Sequence, residues 1–86
     1  MDVNEMNKRA VRILKQWDPF SVGEQMYRAE IEDAVMALQV LDDPSELAKK
    51  IRSIYGFSFN KWIPIEKCVD ISYKLLALKY EAKHII

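Results

Sequence analysis

Three groups of side chains in this sequence have types and spacings that can do chemistry. The first lies in YRAEIED, residues 27–33, where Tyr27 precedes two carboxylates, Glu30 and Asp33, three residues apart. On an ideal helix Glu30 falls about 60° round from Tyr27, on the flank of an apolar stripe, while Asp33 projects further out. A shielded carboxylate needs a donor, and Tyr27, a lysine or arginine of another helix, or the indole N–H of Trp17 or Trp62 would supply it. The plainer expectation is a hydrogen bond that anchors one helix to another. In a pocket between helices, the same groups would instead make a small-ligand or enzymatic site around Glu30 and Asp33.

The second group is WDPF, Trp17 to Phe20. Aromatic residues on either side of a proline at a helix exit pack into the corner they create, and Asp18 is placed to accept backbone N–H bonds in the turn. If the rings are exposed, Trp17, Asp18 and Phe20 join Tyr27, Glu30 and Asp33 as candidate partner-binding residues. The third group is one cysteine and one histidine, Cys68 and His84. Cys68 falls on an apolar stripe with no histidine near it in sequence, which reads as packing, and a single cysteine can form no internal disulfide. His84 suits a helix C-terminus, where the backbone dipole favours a basic ring. No catalytic, metal or cofactor residue is assigned. There is no Glu-x-x-His pair, one cysteine makes no thiolate zinc site, and Gly23 and Gly56 stand too far apart for a phosphate-cradling loop.

Four helices must position these groups. Val3, Met6, Ala10, Ile13 and Trp17 alternate steps of three and four, and Pro19 ends that helix at about Trp17 or Asp18. The period resumes at Tyr27, Ile31, Ala34, Leu38 and Leu41. Ser21 and Glu24 have capping-box spacing at its start, with Gly23 weakening any helix there. DPSE then sets Asp43 as an N-cap, Pro44 at the first position and Glu46 three after the cap. The third helix turns Leu47, Ala48, Ile51, Ile54 and Tyr55 inward and is expected to stop at Gly56. FSFNKWIP, with three aromatics in eight residues, reads as a connection folded down over one end of the bundle. A fourth helix, with Pro64 in its first turn, carries Cys68, Val69, Ser72, Leu75, Leu76 and Lys79 on one face. Strict apolar/polar alternation persists nowhere. The expected architecture is all-α, a single domain over residues 1–86, either a four-helix bundle or an orthogonal array with short connections.

Composition agrees. Eighty-six residues, half of them apolar, suffice for one core, and no apolar run approaches the roughly 20 residues that span a bilayer. The opening MDVNEMNKRA has neither the basic start nor the apolar stretch of a secretion signal, so the expectation is a cytoplasmic protein with no membrane partner. Net charge is zero but segregated: residues 24–46 carry seven acids against Arg28, and residues 47–86 carry eight lysines and arginines against three acids. Opposite charge on neighbouring helices explains this most simply; an acidic surface for a basic protein partner is the sharper reading. One lysine in FNKWIP makes no basic groove, so nucleic acid is not expected. The wide apolar face of the last helix, extended by Ile85 and Ile86, lies under the other helices or against a second copy in a homodimer, and the sequence leaves both open.

WDPF at 17–20, YRAEIED at 27–33, DDPSELAKKIRSIYGFSF at 42–59 and WIPIEKC at 62–68 together resemble the YugE-like family of small proteins from spore-forming Gram-positive bacteria. The resemblance runs over nearly the whole chain in order. It implies an all-helical cytoplasmic protein and little else: that family is a domain of unknown function, so it offers no catalytic residue to carry over. The matching positions Trp17, Asp18, Pro19, Tyr27, Glu30 and Asp33 then serve either the fold or a partner contact. Small helical immunity proteins similarly pair a tryptophan-proline corner with a later tyrosine and acid. The expected function is that of a small non-catalytic protein-interaction module, immunity- or adaptor-like.

Overall fold

Asp2 opens the first helix: its carboxylate accepts the Glu5 N–H at 2.8 Å, satisfying one donor the first turn leaves free. This helix, α1 (Val3–Trp17), buries Met6, Ala10 and Leu14 at four-residue steps and leaves Lys8, Arg9, Arg12 and Lys15 in solvent. It ends where the sequence placed its end, with Asp18 in the left-handed region at φ 30° and Pro19 unable to continue. The computed structural model describes residues 2–84, without the side chains of Glu24 and residues 82–84; the His84 ring and the apolar pair Ile85 and Ile86 lie outside the described residues.

A 3-10 turn over Glu24–Tyr27 leads into α2 (Arg28–Val40), later than the capping-box spacing suggested. Ser21 is left-handed at φ 56°, among the described residues no side chain caps the 3-10 turn, and the N–H groups of Val22 and Gly23 turn back to Asp18. Gly23, at φ 96° and ψ 147°, holds a conformation that side-chain-bearing residues rarely adopt.

The third helix, α3 (Pro44–Phe59), begins as expected: Asp43 accepts the Glu46 N–H at 3.0 Å and Pro44 occupies the first turn. It does not stop at Gly56. The stop is Asn60, left-handed at φ 50°, and the N–H groups of Asn60 and Lys61 both return to the Gly56 carbonyl. Glycine stands at 56 because the chain folds back upon it: a Cβ there would meet the Lys61 carbonyl oxygen at 3.2 Å. The last helix, α4 (Ile65–His84), starts just after Pro64, whose carbonyl accepts the Lys67 N–H at 3.1 Å.

The helices run up, down, up, down. Each packs against its chain neighbours, and α4 returns to α1 to close the ring. The α1 C-terminus, α2 N-terminus and α3 C-terminus meet at one end. At the other, the α1 and α2 sides join through Asn7 and Gln39, and α4 delivers Lys79 to the α2 C-terminus. Leu14, Leu38, Leu47, Ile51, Ile63, Leu75 and Leu76 fill the interior, each fully buried side chain contributing roughly 1.5–3 kcal/mol. The fold is an all-α four-helix bundle, and among the described residues there is no strand and no helix long and apolar enough to cross a membrane.

Cys68 lies in this interior, with burial pushing its thiol up to about 11. A thiol so protonated is inert while the protein is folded. An aromatic disulfide reagent at pH 8 is expected to modify it at least about 100-fold more slowly than in the unfolded chain, as followed by absorbance.

Candidate functional site

The residues singled out in the sequence converge on the end of the bundle where α1 turns into α2. Trp17 and Phe20 are half-buried and Tyr27 is fully buried. Their rings interlock with two from α3. Trp17 meets Tyr55 edge-on at 5.1 Å between centroids, Tyr27 lies 5.4 Å from Tyr55 and 5.2 Å from Phe59, and Phe20 lies 5.1 Å from Phe59. The corner is therefore packed onto α3, and most of its aromatic surface is used.

Asp18 ties the corner from within. Its carboxylate accepts the N–H groups of Val22 and Gly23, each at 3.0 Å, and the Tyr27 hydroxyl at 2.5 Å; that hydroxyl in turn accepts the Phe20 N–H at 3.0 Å. The Tyr27 bond above all, helped by the backbone N–H groups and opposed by desolvation, holds the Asp18 carboxyl below its usual range. Burial first, and then donation to Asp18, push Tyr27 up to about 12. The expected acceptor role of Asp18 in the turn is observed. The phenol from the start of α2 was not foreseen as its partner.

Glu30 and Asp33 separate. Glu30 is only 8% exposed and lies near enough to Tyr55 that its charge, secondary to burial, raises that phenol further above its ordinary value. Asp33 stands in solvent, as the helix geometry predicted. The Tyr27 hydroxyl turns to Asp18 rather than to Glu30. Neither the groove between α1 and α2, lined by Lys15, Arg28 and Glu32 among others, nor the one at the end of α3 includes Glu30 or Asp33.

Tyr55 carries an anomaly: its hydroxyl is buried without a hydrogen-bond partner among the described residues. A stranded polar group costs about 1–3 kcal/mol, whereas removing it and keeping the ring does not. Tyr55→Phe is therefore expected to stabilise the protein by about 1 kcal/mol in urea denaturation.

A second surface contains none of the residues that the sequence offers as candidates. Phe57 is 87% exposed and Trp62 74% exposed, and with Arg52, Ser53, Gly56, Asn60 and Lys61 they line an open groove of about 480 Å³. The aromatic density of FSFNKWIP had suggested a segment folded down over the bundle. The structure splits it: Phe59, one turn after Tyr55, faces the core, Ile63 is buried, and Phe57 and Trp62 point away. The signal was available in the helical period, since continuing α3 by one turn puts residue 57 opposite Tyr55.

The chain is thus a four-helix bundle tied at its first corner by an aspartate–tyrosine lock. Residues 9–85 match the family described as a domain of unknown function, DUF1871, and the chain belongs to it. Among its relatives is an uncharacterised protein of Bacillus subtilis strain 168, YugE, 35% identical over 79 residues and covering 92% of both chains. A protein of Bacillus stearothermophilus known from its crystal structure is 33% identical, with a TM-score of 0.88 over 92% of this chain and 98% of that one. The family resemblance read from the motifs is thus established.

Proposed function

We propose that this protein is a small non-catalytic protein-interaction module, adaptor- or immunity-like in scale, whose contact surface centres on the groove between Phe57 and Trp62. The observation that carries this reading is the pair of exposed aromatic rings flanking one concavity beside Arg52 and Lys61. Tryptophan, tyrosine and arginine dominate the binding energy of protein interfaces, and adjoining exposed aromatic surface calls for a partner more than isolated apolar residues do. The titratable groups support the same reading: Asp18 and Tyr27 are engaged in the corner, and Cys68 is protonated in the core. Glu32 and Asp33 stand exposed on α2, where Glu32 shares its groove with Lys15 and Arg28, and that groove lacks the aromatic lining of Phe57 and Trp62.

Affinity capture from the native cell extract, comparing the natural chain with the Phe57→Ser/Trp62→Ser double variant, tests the proposal. The expected result is a stoichiometric partner whose recovery falls at least about tenfold with the variant, while folding stability changes by less than about 0.5 kcal/mol per exposed site. Absence of any stoichiometric partner, with a monomer in sedimentation, would overturn it.

A further inference from the structure

We infer that the groove takes an acidic peptide segment anchored by one large apolar side chain, an inference that rests on the interaction-module reading above. Charge supplies the first argument. From Leu47 to Ile65 the only charged residues after the helix start are Lys49, Lys50, Arg52 and Lys61, with no acid among them. Lys49, Lys50, Ser53 and Phe57 follow one another at helical spacing along the exposed side of α3, and all four are in solvent. A cationic track thus leads into the groove that Arg52 and Lys61 line.

Rigidity supplies the second. The rim is held on both sides of Trp62. The Lys61 N–H is bonded to the Gly56 carbonyl at 3.2 Å, and the Lys61 ammonium sits 5.6 Å from the centroid of the Phe20 ring. Ile63, only 1% exposed, and Pro64 fix the chain after it. Trp62 is therefore presented outward by a chain anchored before and behind, so little ordering entropy remains to be lost when a partner seats against it. Size supplies the third. A groove bounded by two rings and less than two helical turns admits one bulky side chain and a few flanking residues, which matches a short segment better than an extended polyanion.

Selection of phage-displayed random dodecapeptides on the intact chain tests this, with a single-stranded oligodeoxythymidylate as a second probe. The expected outcome is a consensus with glutamate or aspartate beside one aromatic or large aliphatic residue. Its binding should weaken at least about tenfold with Trp62→Ser and several-fold with Arg52→Gln, and should weaken further with added salt. Both variants should melt like the natural chain. Selected peptides that need Trp62 but are neutral or basic would overturn the acidic chemistry and leave the interaction surface standing. An oligonucleotide that binds the groove more tightly than any peptide would overturn the inference in favour of nucleic acid. Selected peptides indifferent to both Trp62 and Phe57 would overturn the inference and the groove reading together.

Discussion

Lys79→Met is expected to destabilise the protein by about 3 kcal/mol, lowering the melting midpoint by roughly 10–20 °C in a chain of this size. The reason lies at the end of the bundle opposite the corner. The Lys79 ammonium, on a residue only 8% exposed, donates to the carbonyls of Leu38, Gln39 and Leu41 at 2.7, 3.2 and 3.1 Å, and pairs with the Asp42 carboxylate at 2.8 Å. These carbonyls belong to the last turn of α2 and the residue that caps it, where helical geometry leaves acceptors without partners and the backbone dipole is negative. Methionine restores the stem's packing and leaves those acceptors stranded. Asp42→Asn, by contrast, should cost less than about 1 kcal/mol, because that side chain is 61% exposed. The contrast separates a helix-terminus clamp from a simple ion pair, and urea titration of the two variants measures it.

The second large effect is at Tyr27. Tyr27→Ala should cost about 3–5 kcal/mol, since it removes a fully buried ring that touches Phe20, Tyr55 and Phe59. Tyr27→Phe keeps the ring and loses the bonds to Asp18 and Phe20, and about 1–2 kcal/mol should go with them. The same hydroxyl gives a pH signature. Tyr27 ionises near 10 in the unfolded chain and near 12 in the folded one, so its contribution is complete below pH 10 and is lost as pH rises towards 12. Tyr55, raised mainly by burial, adds to the same alkaline loss. Asp18 acts at the other extreme. Its folded value is depressed, so its contribution is present above its ordinary value near 3.8 and lost as pH falls through the folded value. Alkaline unfolding followed by circular dichroism should become shallower between pH 10 and 12 in Tyr27→Phe.

The helix ends that could be read in the sequence were those whose chemistry is local. Asp43, Pro44 and Glu46 complete a cap within four residues, and Pro19 stops α1 whatever surrounds it. The end of α3 was misplaced because Gly56 signals two things alike in sequence, a stop and a close approach; only the Lys61 carbonyl above it decides between them. Periodicity placed Lys79 on the buried face of α4, but its acceptors lie 38 to 41 residues earlier in the chain. Trp17, Asp18, Phe20 and Tyr27, named together as candidates from their spacing, do lie together at the first corner. Whether their rings faced solvent or α3 depended on Tyr55 and Phe59, which no local spacing connects to them.

The central claim is a division of labour: the corner built on Asp18 and Tyr27 holds the fold, and the exposed rings at Phe57 and Trp62 form the proposed contact surface. Guanidinium denaturation of Tyr27→Phe and Trp62→Ser, side by side with the natural chain, tests it most directly. The account predicts a clear fall in midpoint for Tyr27→Phe and an unchanged midpoint for Trp62→Ser. A silent Tyr27→Phe, or a Trp62→Ser variant destabilised as much as it, would contradict it.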